Sequence, residues 1–169
     1  GEEVKETYVV YGKPYDEPSA RALAAKSKKE FEIWAISLVG AAPSEHDGGV
    51  DGLLSIVEGK DRSTKVIVQV KGGEALNPGM VRDLVGTVEN EKAAIGLLVT
   101  LKEPTSGMKE LAVHAGSYTS PVWGKSYPRI QIRTVGELLE GKGFDLPHGE
   151  SPMKKAAPIT ERGRTKRML

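Results

Sequence analysis

With 169 residues, 38% of them hydrophobic and 28% charged, the chain has the size and composition of one ordinary domain with a hydrophobic core; no apolar run approaches the roughly 18 residues of a membrane span. Its formal net charge of +1 carries no global signature of nucleic-acid binding. The absence of cysteine excludes disulfides, thiolate zinc sites and a cysteine nucleophile, and His46, His114 and His148 lie too far apart for zinc-ligand spacing.

The chain begins Gly-Glu-Glu-Val-Lys, without the basic-then-apolar pattern of a secretory signal, and composition of this kind suits the cytoplasm. A start at Gly1 rather than Met points to excision from something longer. Residues 7–11, Thr-Tyr-Val-Val-Tyr, read as a short strand before a Gly-Lys-Pro turn. A helix is expected from near Asp16 or Ser19, either of which can cap it, to about Val39, with Gly40 ending it. Leu23, Ser27, Phe31, Trp34 and Leu38 recur at three- and four-residue steps and give that helix a core-facing stripe.

A hairpin follows, with strands at 50–57 and 65–71 and a polar connection over 58–64. The second strand is mostly apolar, as a central strand would be. Pro78 to about Ala94 reads as a helix, 95–101 as a buried strand, and Thr105–Ala115 as a shorter helix. Residues 116–128 read as a loop rich in Gly, Ser, Tyr and Trp. Arg129–Arg133 reads as an alternating strand, and Thr134–Glu140 as a last helical turn or two. After Gly141 only a tail is expected, basic from Lys154 onward and able to neutralise phosphates or simply to be solvated. The order predicts an α/β fold, a mixed central sheet with helices on both faces. Three segments are expected: an approach at 1–18, a domain at 19–143 and the tail at 144–169.

The chemistry is concentrated in Asp47-Gly-Gly-Val-Asp51 and Gln69-Val-Lys71. Side chains alternate along a strand, so Gln69 and Lys71 share one face. Positions 51 and 71 are equidistant from 61, and 51 and 69 from 60, so a simple antiparallel hairpin brings Asp51 beside Gln69 and Lys71. Asp51 can hold Mg²⁺, with the Gln69 amide oxygen and the Val70 carbonyl as neutral ligands. Such a metal activates a bound water, while Lys71 positions it or stabilises charge developing on the phosphate. Taken singly, Asp51 reads as a turn residue as readily as a ligand, and Lys71 as a surface charge; Gln69 in an apolar strand needs partners. Together they favour a site. Glu32, beside Phe31 on the first helix, reads either as a rim charge or as an inward ligand. Asp47 competes with Asp51 but falls in the loop.

The stretch from Phe31-Glu32 through Gly49-Val-Asp51 to Gln69-Val-Lys71 resembles the Mrr-like branch of the PD-(D/E)XK nuclease superfamily, in its Gln variant. Phe31-Glu-Ile-Trp-Ala-Ile-Ser-Leu-Val, Gln-Val-Lys-Gly-Gly, Met80-Val-Arg-Asp-Leu and Tyr127-Pro-Arg-Ile-Gln-Ile look like the nuclease-like domain at the C-terminus of some bacterial DNA methyltransferases. The resemblance implies a restriction-endonuclease-like core with catalytic Glu32, Asp51, Gln69 and Lys71. It implies metal ligation by Asp51, Gln69, Val70 and Glu32, with Mg²⁺ as the metal and Mn²⁺ as a substitute. It also implies a DNA substrate, a role in restriction-modification or defence, and an attached or associated methyltransferase.

Arg82, Tyr118, Lys125 and Arg129 are candidate DNA contacts. Arg82, with Lys92 and Lys102, could touch phosphates or form a solvated face. The 118–127 loop interleaves aromatic, hydroxyl and basic groups, which suits either DNA or a loop pinned to the core. His114 reads as a packing histidine. The leading expectation is therefore a Mg²⁺-dependent DNA endonuclease, with a homodimer for double-strand cleavage. The competing expectation is a catalytically silent DNA-binding or accessory module on the same fold.

Overall fold

The computed structural model describes residues 13–45 and 49–147; the expected strand at 7–11, Asp47 and the basic segment from Lys154 lie outside them. The first helix is interrupted. Helix α1 spans Glu17–Lys26 and α2 spans Lys28–Val39. Asp16 and Ser19 form a reciprocal capping box at the start of α1. Ser27 adopts φ −152° and ψ 108°, and its side chain accepts the Glu30 N–H at 3.1 Å. One hydroxyl thus caps a new helix in the middle of an unbroken apolar pattern, because serine competes for backbone donors that a leucine would leave to the helix. Gly40 ends α2 in the left-handed region at φ 82°.

The strands are β1 Ala42–Pro43, β2 Gly52–Val57, β3 Ser63–Lys71, β4 Ile95–Thr100, β5 Ser117–Thr119, β6 Ser126–Pro128 and β7 Ile130–Thr134. The remaining helices are α3 Pro78–Asn90, α4 Ser106–His114 and α5 Val135–Leu139. One sheet has the order β1-β2-β3-β4-β7, antiparallel over β1-β2-β3 and parallel over β3-β4-β7. The fold is α/β, with a mixed five-stranded sheet and helices on both faces. Every residue of β4 is buried, as a parallel strand covered on both sides must be.

Alternation along the strands divides the core. Val66, Val68, Val70, Leu97 and Val99 pack with Phe31, Ala35 and Ile36 of α2. Ile67, Leu98 and Ile130 pack with Val81, Leu84 and Val88 of α3 and Met108 of α4. Phe144 and Leu146, beyond the last helix, pack against the first cluster. The expected loop at 116–128 contains instead the β5-β6 hairpin. Its three-residue strands are too short for periodicity to reveal. Helix α3 stops at Asn90, four residues before the expected end, and Lys92 follows at φ 57°. Among the described residues, no helix is long and apolar enough to cross a membrane.

Candidate functional site

A cleft of about 600 Å³ opens where the last residues of β3 meet α2 and the start of α3. Lys28, Glu32, Asp51, Gln69, Val70 and Lys71 all line it. The hairpin register explains the convergence. Gly52 pairs with Val68 and Val57 with Ser63, which centres the hairpin on Lys60 and places Asp51 beside the end of β3. The Asp51 N–H donates to the Val68 carbonyl at 2.8 Å. Asp51 Oδ2 accepts the Val70 N–H, also at 2.8 Å. Val70 therefore meets Asp51 through its amide.

Gln69 is buried, and its Nε2 donates to the Gly49 carbonyl. Its Oε1 is shut off from solvent and has no hydrogen-bond partner. Gly49 is required twice over. It sits at φ 82°, and a Cβ there would lie 3.0 Å from Gln69 Nε2. Gly72 serves the same cleft, since a Cβ would meet Phe31 Cε2 at 2.7 Å. The Phe31 ring can close the cleft floor only over a glycine. Glu32 is held above the usual glutamate range, first by burial and then by the charge of Asp51; Lys28, Lys29 and Lys71 pull it the other way. Lys28 precedes Glu32 by one helical turn, a spacing that could have marked it in the sequence.

The other expected contacts do not join this cleft. The parallel register puts Lys71 level with Thr100 at one end of the sheet and Ile130 level with Gly96 near the other. Arg129 therefore lies about 20 Å from Lys71, given a rise of about 3.3 Å per strand residue. It pairs with Glu89 at 3.3 Å. The Tyr118 hydroxyl donates to Glu58 Oε2 at 2.8 Å, so it is committed to the interior. Lys125 stands 5.2 Å from the centre of the Tyr127 ring. Arg82 is exposed on α3 and does not line the cleft. Lys102 pairs with Glu74, which also meets Arg21.

The strongest polar feature outside the cleft escaped the sequence reading. Glu58, expected in a solvated turn, is fully buried. It accepts hydrogen bonds from Thr64, Ser120 and Tyr118. Burial alone would raise its carboxyl pKa, but the three hydroxyls, with the charge of Arg62 behind them, outweigh it and hold the group below the usual glutamate range. This cage fastens the β5-β6 hairpin to the turn between β2 and β3.

A family model described as NACHT-associated inactive restriction endonuclease matches residues 20–140. The chain belongs to this family. Neither a curated protein nor a solved structure matches it. Membership shows a restriction-endonuclease-like domain and overturns the expectation of an active, Mg²⁺-dependent DNA endonuclease, because the family is described as inactive. The donor set agrees with that correction. Among the described residues, no three acidic or histidine side chains converge. One oxygen of Asp51 is taken up by a backbone amide, and the Gln69 oxygen is out of reach of solvent. Asp51 and Glu32 are the two carboxylates among the described residues that line the cleft.

Proposed function

We propose that this domain is a catalytically silent, DNA-binding module that serves a larger NACHT-associated protein. The observation that carries the reading is the composition of the cleft. It keeps the restriction-endonuclease-like architecture and the cations Lys28 and Lys71, while the Gln69 amide is bonded inward to Gly49 and its oxygen is shut off from solvent. Cations placed on rigid elements at a cleft rim can neutralise phosphates without any chemistry following. The Mrr-like spacing of Phe31-Glu32, Gly49-Val-Asp51 and Gln69-Val-Lys71 supports DNA as the ligand class. The association printed for the family replaces the methyltransferase link in this reading.

The test is fluorescence anisotropy of a labelled duplex oligonucleotide in EDTA, across a salt series, with Lys28→Ala and Lys71→Ala. Binding is expected without metal, and the slope of log K against log salt should fall by about 0.9 for each phosphate contact removed. Supercoiled plasmid should stay intact in Mg²⁺ or Mn²⁺. Absence of binding at low salt would replace DNA with another ligand class. Metal-dependent nicking that disappears in Asp51→Ala would overturn the silent reading itself.

A further inference from the structure

Strand β7 is the last in the sheet order, so one of its sides has no neighbouring strand among the described residues. The phase of its ladder decides which groups face outward. The Gly96 N–H donates to the Arg129 carbonyl at 2.8 Å. In a parallel ladder of that phase, Gln131 and Arg133 turn their backbone groups toward β4, and Ile130 and Ile132 turn theirs away. Both residues line a groove of about 680 Å³, Ile132 half-buried and Ile130 2% exposed.

The groove has two walls. One is α4, through Ala112 and Val113, the latter 77% exposed. The other is the segment after α5. Gln131 grips it with a paired amide: its Nε2 donates to the Asp145 carbonyl at 2.9 Å, and its Oε1 accepts the Asp145 N–H at 2.7 Å. Arg133 Nε donates to the Gly143 carbonyl at 3.0 Å. The clamp uses side chains on one sheet face and, among the described residues, leaves the backbone edge unpaired. Of the charged groups lining the groove, Lys109 pairs with Glu103 at 2.7 Å and Arg133 with Glu137 at 3.9 Å. Asp145 has no ion-pair partner among the described residues, so the groove carries one uncompensated acid.

We propose that this edge is a docking site for an extended segment of a partner protein, one that alternates apolar and basic side chains and adds as a sixth strand beside β7. Three features select that occupant. The outward amides and carbonyls of Ile130 and Ile132 match the backbone of a strand, Val113 and Ile132 form an apolar wall for alternate side chains, and Asp145 favours a cation.

The experiment follows amide hydrogen exchange at Ile130 and Ile132 in the full chain with an excess of the peptide Lys-Val-Lys-Val-Lys-Val or its Glu-Val counterpart. The basic peptide is expected to slow exchange at both amides tenfold or more, and the acidic one to bind at least tenfold more weakly. Ile132→Pro removes an outward N–H without breaking a bond to β4 and should abolish the effect. Val113→Ser, at an exposed position where folding is insensitive, removes the apolar wall without adding charge and should weaken binding even if the proline variant misfolds. Unchanged exchange with both peptides overturns the proposal, as does equal binding of the two. Protection of both amides without peptide would assign the edge to the chain's own 148–169 segment and also overturn it. Protection that grows with protein concentration alone would assign the edge to a second copy, with the same consequence. The result is independent of DNA binding, since the groove and the cleft share no lining residue.

Discussion

Replacing Glu58 with Gln should destabilise the domain although it conserves volume. The carboxylate accepts from Thr64 and Tyr118 on Oε2 and from Ser120 on Oε1. Ser120 Oγ already accepts the Val122 and Trp123 amides at 3.3 and 3.1 Å, so it has no lone pair to offer a carboxamide NH₂. The amide nitrogen must therefore take the Oε2 side, where both hydroxyls lose a charged acceptor. Each hydrogen bond to a charged group is worth about 1.5–3 kcal/mol. Its neighbours Val57, Gly59 and Val122 are exposed, so the group lies just beneath the surface and water screens part of that value. A net loss of about 2–4 kcal/mol follows, or roughly 6–15 °C in Tm for a domain of this size. Circular-dichroism melts at several pH values provide the assay. The folded carboxyl titrates below its ordinary value of 4.5, so its contribution is present above that pH and disappears as pH falls through the folded value. The gap between wild type and Glu58→Gln should accordingly be full at pH 7 and close on acidification. Equal melting at pH 7, or a gap that persists in acid, would refute the charged cage.

Glu32→Gln is expected to act in the opposite sense. Burial and Asp51 raise the folded pKa of Glu32 above 4.5, so its ionisation weakens the fold at neutral pH, and the variant should melt higher than wild type at pH 7 and converge with it in acid. A lower Tm at pH 7 would show that Glu32 is held by an attractive partner. Gly96→Ala should cost about 1–3 kcal/mol in urea denaturation, because its Cβ would lie 2.6 Å from Val88 Cγ2 and 3.1 Å from Leu84 Cδ1. An unchanged midpoint would mean that α3 does not rest directly on β4.

The cleft was legible in the sequence because its parts lie on one hairpin and one helix. Asp51, Gln69 and Lys71 are placed by strand alternation and a local turn, and both are properties of residue order. Glu32 followed from resemblance and not from spacing, yet it lines the same cleft. The expectation of catalysis came from donor types, their spacing and the family resemblance, and the description of the matched family as inactive overturned it. Whether Gln69 Oε1 reaches solvent, and whether Asp51 is occupied by an amide, depends on packing that residue order does not encode.

By itself the sequence determined the α/β class, the hairpin with its centre at 60 or 61, the buried character of β3 and β4, and the residues at the head of the cleft. All of these rest on periods of two or 3.6 residues and on local caps. The tertiary structure decided the rest. Ser27 breaks a helix that its apolar stripe would continue. The hydroxyls that bury Glu58 come from residues as far away as Ser120, and Arg129 is carried to the far end of the sheet from Lys71 by the parallel register. Long-range pairings of this kind are set by how whole elements pack, so no local pattern announces them.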